Sequence, residues 1–184
     1  MKLNKKTNKI ILQKKDYEAQ IIFLDGYIAI NGNYIVKADL IEFESDLIQD
    51  RINRNDYFSM LNGHETNFPT ESTWKAILRT PEGAPVRVTN LFYKDEIKKA
   101  EYNLFTNLGN NQTIVMNADF AKIIKSLNGN VTQQSNRDFQ PITVYKNNTL
   151  IGLFMPMGHR GILSDVHQFI VDNTELKYEE EKAA

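Results

Sequence analysis

Apolar positions along this chain recur with two periods, and the switches between them mark its elements. Residues 19–24 (AQIIFL), 27–30 (YIAI) and the run beginning at 33 (NYIVKADLIEF) are rich in β-branched and aromatic residues and are divided by Asp25-Gly26 and Asn31-Gly32. Asp-Gly and Asn-Gly tolerate the positive φ that tight hairpin turns demand, so these runs predict a three-stranded meander. Residues 45–55 (SDLIQDRINRN) read as a short helix capped by Ser45 or Asp46. Residues 56–69, polar and aromatic with Gly63 and Pro69, read as a loop. Thr70 then caps a helix, ESTWKAILR, with Trp74, Ile77 and Leu78 on one face, and Pro81, Gly83 and Pro85 end it. PVRVTNLFY (85–93) reads as a strand. DEIKKAEYNLF (95–105) stays open between helix, favoured by its charges, and strand, favoured by its aromatics.

The second half is more sharply punctuated. QTIVM (112–116) reads as a strand, Asn117 as the N-cap of ADFAKIIKSL, and Asn128-Gly129 as its stop. Phe120, Ile123, Ile124 and Leu127 form its apolar stripe, and Asp119, Lys122 and Lys125 lie away from it. The strands PITVY and TLIGLFM follow, joined by Lys146-Asn147-Asn148. Ile162, Val166, Phe169 and Ile170 give 161–173 a helical spacing. Residues 1–9, with Lys2, Lys5, Lys6 and Lys9, read as a flexible basic tail, and 174–184 as an acidic one. Between them, 10–173 reads as a single α+β domain, an antiparallel sheet with helices on one face. No internal repeat and no low-complexity linker is visible.

Composition narrows the function. The 184 residues are 41% hydrophobic and 24% charged, as in ordinary globular chains. A formal net charge of -1 argues against a uniformly basic nucleic-acid binder but leaves room for a local basic face. Without cysteine there is no disulfide, thiolate metal site or cysteine nucleophile. The basic N-terminus lacks the apolar core of a signal peptide, and no run approaches the roughly 18 apolar residues of a spanning helix. The expectation is a soluble, cytoplasmic protein without a membrane partner.

Candidate chemistry is sparse. His159 and His167 flank Asp165, a set that could hold a metal but matches no zinc spacing. His64 precedes Glu65 in NGHE (62–65), which could position a general base, although a solvated histidine in a turn is the more usual occurrence. No metalloprotease, nucleophile-elbow, P-loop or dinucleotide motif occurs. The aromatics, Phe23, Tyr27, Tyr34, Phe92 and Tyr93, fall at strand positions, where packing accounts for them better than base stacking. No metal and no cofactor is expected.

The order MNADFAKIIKSLNGN (116–130), FQPITVY (139–145) and LIGLFMPM (150–157) resembles the second half of a domain of the bacterial DNA sliding clamp, the β subunit of the replicative polymerase. The terminal Met-Pro-Met is its most specific element, and DGYIAINGNYIVKAD (25–39) can be laid on an early clamp strand pair. The resemblance implies a clamp-domain-like fold and a non-enzymatic protein of phage or mobile-element type acting on DNA or the replication machinery. Clamp helices line the ring and meet duplex phosphates without reading bases. On that pattern Lys122 and Lys125 are DNA-binding candidates, with Lys75 and Arg79 of the same kind. Met155, Pro156 and Met157 would border a pocket for a short apolar peptide of a replication protein. From the residues alone, two solvated lysines on an amphipathic helix and a strand stopping at proline explain the same positions. The clamp family carries three such domains per chain, so a ring here would be a homo-oligomer. Gly158-His159-Arg160 and a further predicted helix depart from the family, whose chains end soon after Met-Pro-Met. Two rivals remain: an interaction module that inhibits a host or defence protein, and a small metal-dependent hydrolase using the His/Asp set.

Overall fold

The computed structural model describes residues 2–11, 21–30, 33–43, 46–61, 63–95, 100–134 and 140–157. Within the expected basic tail, Lys5, Lys6 and Lys9 belong to a helix, α1 (Lys5–Ile11), in which Thr7 and Ile11 are buried. Seven residues are too few for a helix that stands alone, so tertiary packing holds it. The expected meander follows as β1 (Ile21–Leu24), β2 (Tyr27–Ile30) and β3 (Tyr34–Lys37), paired antiparallel. Asp25 and Gly26 take φ of 51° and 77°, as the hairpin turn requires. The third run stops being a strand early, because Ala38–Leu40 tightens into one 3-10 turn. Asp46–Arg54 forms α2, as predicted; Ser45, a proposed cap, lies outside the described residues.

The predicted loop at 56–69 contains a hairpin, β4 (Phe58–Leu61) and β5 (His64–Thr66). Phe58, Ser59 and Met60 are buried because β4 pairs with β1, a long-range partner that local composition does not announce. Thr70 caps α3 (Glu71–Leu78) through a bond from Thr73 N to its Oγ1, 3.4 Å. The strand predicted at 85–93 is two strands, β6 (Ala84–Arg87) and β7 (Phe92–Asp95). Thr89 sits in the break, bonding Leu104 O through its hydroxyl and accepting from Leu91 N at 3.1 Å. Of the ambiguous segment, Asp95 ends β7, residues 96–99 lie outside the described residues, and the rest is strand, β8 (Ala100–Asn107). Next come β9 (Thr113–Asn117), α4 (Ala118–Leu127), β10 (Asn130–Gln133), β11 (Ile142–Lys146) and β12 (Thr149–Phe154). Asn147 and Asn148 turn β11 into β12 with φ of 50° and 59°.

Among the described residues the strands join in the order β5-β4-β1-β2-β3-β12-β11-β10-β6-β8-β7, and β9 pairs with the other edge of β8. The middle of that order is palindromic. A helix followed by a three-stranded antiparallel unit occurs twice, as α1-β1-β2-β3 and as α4-β10-β11-β12. Their last strands meet antiparallel at the centre, Ile35 opposite Leu153, and their helices touch. The duplication is one of connectivity, which explains why no repeat is visible in the residues.

Strand alternation sends side chains to the two faces of the sheet. On one face Phe23, Ile28, Val36, Phe105 and Phe154 pack under α1, α2 and α4, which contribute Ile11, Ile48 and Ile123. On the other, Ile22, Leu24, Ala29, Ile35 and Leu153 pack against Trp74 of α3. Helices on one face only, the sequence expectation, is therefore corrected. The Trp74, Ile77 and Leu78 stripe needs an apolar surface, and the alternate residues of β1–β3 supply one on the far side. No helix among the described residues is long and apolar enough to cross a membrane.

Candidate nucleic-acid interface

The helix α4 is built by its own caps. Asn117 Oδ1 accepts from Asp119 N at 2.8 Å and Phe120 N at 3.4 Å, and Asn128 leaves the helix in the left-handed region, φ 51°. Ala121, Ile123, Ile124 and Leu127 are buried against the sheet, with Phe120 edge-on to Tyr34 at 5.0 Å. The other exposed positions, Lys122 and Lys125, then face away from the sheet, as the stripe predicts.

Beside α4 lies α1. Asn4 caps it, its Oδ1 accepting from Thr7 N at 2.9 Å, and Leu3 N donates to Leu40 O at 2.9 Å. Asn8 exchanges two bonds with Glu42, donating to its carbonyl at 2.9 Å and accepting from its amide at 3.2 Å. At the other end the buried Tyr34 hydroxyl donates to Ile11 O at 2.9 Å. Burial pushes the Tyr34 phenol well above its ordinary range, so it stays a donor. The helix is thus tied at both ends, and its exposed side chains are Lys5, Lys6 and Lys9.

The two adjoining helices carry five lysines (Lys5, Lys6, Lys9, Lys122, Lys125) and one carboxylate, Asp119. Lys122 reaches Asp119 at 2.9 Å, and Lys125 donates to Asn90 Oδ1 at 3.0 Å. Exposed pairs of this kind are worth about 0–1 kcal/mol, so an incoming anion displaces them readily. Lys2 lies nearby, 3.6 Å from Glu42. The exposed lysines of two touching helices are thus gathered on the helix-bearing side of a chain whose net charge is -1.

The other predicted site residues lie elsewhere. Lys75 and Arg79 belong to α3 and its C-cap, with the sheet between them and the α4 lysines. Lys75 is held 2.6 Å from Glu71, whose hydrogen bond and charge raise its pKa. Met155, Pro156 and Met157 leave the end of β12. Met155 is exposed and bonds through its amide to Asn33 O at 3.0 Å; Met157 covers Tyr102, Leu104 and Val115, its amide on Val115 O at 2.9 Å. A cleft of about 490 Å³ opens where β6 and β10 splay, lined by Gly83, Pro85, Val86, Val88, Val131 and Thr132, away from the Met-Pro-Met segment. His64 is exposed on β5, and among the described residues no three His, Asp or Glu converge on one point. His159, Asp165, His167, the helix predicted at 161–173 and the acidic tail lie outside the described residues.

No family model, curated protein or solved structure matches this chain. Function must be read from the site itself. Lys5, Lys6 and Lys9, which read as tail in the sequence, belong to a packed helix. The signal was present: Asn4 stands three before Thr7, and Leu3, Thr7, Ile10 and Ile11 follow helical spacing. The lysines masked it.

Proposed function

We propose that this is a non-enzymatic, clamp-like protein that holds the backbone of duplex DNA against the α1/α4 face. The observation that carries this reading is the contact between two helices, one from each of two equally connected units, whose exposed residues are lysines. Lysines on paired helices meet phosphates as point charges, without base-edge contacts, so binding is independent of sequence. The palindromic strand order and the clamp-like residues from Thr113 to Met157 support the clamp-domain comparison. The phage or mobile-element setting and a replication-protein partner belong to the same proposal.

If all five lysines meet phosphates, log affinity falls against log salt with a slope of about -4.5. Lys122→Ala/Lys125→Ala is expected to flatten that slope by about 1.8 and Lys5→Ala/Lys6→Ala/Lys9→Ala by about 2.7. Lys75→Ala/Arg79→Ala, on the other side of the sheet, is the control and is expected to change nothing. Titrations of duplexes of unrelated sequence across a salt series decide the matter. An unchanged slope in both α1 and α4 variants, or a larger effect from the α3 variant, sinks the assignment.

A further inference from the structure

Binding to the duplex backbone leaves one feature of this face unused. The break between β6 and β7 runs past the last turn of α4, where Asn90 Oδ1 accepts from Lys125 Nζ at 3.0 Å. Directly after it Leu91 is 38% exposed and Phe92 is 59% exposed. Alternation decides which side Phe92 occupies. It stands opposite Asn103, which stands opposite Met116, and Met116 is buried in the core beneath the helices. Its neighbour Tyr93 stands opposite Tyr102, in the separate cluster on the reverse face. Phe92 is therefore on the helix-bearing side, two residues after Asn90, which meets Lys125 in the last turn of α4. Lys94, two positions on, shares that side.

An exposed aromatic at the rim of a cationic surface has a specific physical use. A duplex offers phosphates and sugars, because its bases already stack on one another. An unpaired base has a free π-face, and stacking on an aromatic side chain is worth about 1–3 kcal/mol, or about 5–150-fold in affinity. We propose that Phe92 stacks on an unpaired base beside the duplex held by α1 and α4, so that the face prefers a duplex with a single-stranded tail. This inference rests on the phosphate-binding reading of the lysines. An anionic membrane surface also attracts lysine with phenylalanine, but interfacial binding needs a broad apolar face. Here Phe92 and Leu91 stand among Thr89, Asn90 and Asn103, and the Glu101 carboxylate lies across from Lys94.

The test compares the full chain with Phe92→Ala and Phe92→Trp on blunt duplex, tailed duplex and phosphatidylserine vesicles. The native protein is expected to bind tailed duplex about tenfold more tightly than blunt. Phe92→Ala should bring that ratio to one while leaving blunt-duplex affinity and melting temperature unchanged. Phe92→Trp should keep the ratio and show emission quenched by tailed DNA alone, over the constant signal of Trp74, which is 1% exposed. Blunt duplex bound with no preference for the tail, or a preference that survives Phe92→Ala, overturns the stacking role and leaves the lysine reading intact. Absence of all DNA binding overturns both. Vesicle binding abolished by Phe92→Ala, without tail preference, overturns the inference in favour of a membrane surface.

Discussion

At Gly152 a Cβ would stand 2.8 Å from Leu127 Cδ1 and 2.8 Å from Phe154 Cε2. The missing side chain lets α4 lie close on β12 and so sets the height of its lysines above the sheet. Gly152→Ala is expected to lower stability by about 1–3 kcal/mol through overpacking. Leu127→Ala alone should cost about 2–5 kcal/mol. In the double variant the contact with Leu127 has been removed, although that with Phe154 remains, so the double variant should lose less than the sum of the two single losses. Urea denaturation measures this cycle, and strict additivity would mean that the close approach is not what the glycine serves. Residue-level features that act within a few positions were legible in the sequence: the Thr70 and Asn117 caps, the Asn128 exit and the Asp25-Gly26 turn all stand where local chemistry places them. Gly152 was not, because its partner lies 25 residues away.

Among the elements, α1 depends most on its surroundings. Its C-terminal carbonyl is held by Tyr34, whose phenol burial raises above the ordinary 10.0. The unfolded chain releases that proton near the ordinary value, whereas the folded chain keeps it. The contribution of Tyr34 to stability is therefore fully present and independent of pH below about pH 10, and it is lost as pH rises from there toward the folded pKa. Tyr34→Phe is expected to lose about 1 kcal/mol at neutral pH, with the hydrogen bond, and to show a shallower alkaline decline. Tyr27, Tyr57 and Tyr145 are also raised by burial, so part of the decline remains. Denaturation curves taken at neutral and alkaline pH test the difference, and parallel slopes in the two proteins would rule it out. Strands that pair with distant partners were the elements least legible beforehand. β4 was hidden in a polar stretch and β6 was fused to β7, since pairing with β1, β8 and β10 is what makes them strands.

For the whole molecule, a chain carrying two α-βββ units has one short pair of adjoining helices, which under the proposed function would meet DNA. Encircling a duplex would take several copies. The clamp-like reading implies a symmetric homo-oligomer, and light scattering at low and high salt should give the same integer multiple of the 21.2 kDa chain. A monomer at both would remove the ring while leaving the lysine face as a simple DNA-binding surface. The net charge of -1 does not reveal the lysines of the helix pair, because acidic residues elsewhere balance them in the total.

By itself the sequence determined the α+β class, the first meander, three of the four described helices and the outward direction of Lys122 and Lys125. Each of these follows from period, caps and turn residues within a short window. Only the tertiary structure decided that Lys5, Lys6 and Lys9 are helical, that α1 joins α4, that α3 lies across the sheet, and that Phe92 lies on the helix-bearing side. Those facts depend on which strands meet, and strand partners are chosen by burial between residues far apart in the chain, for which no local pattern exists.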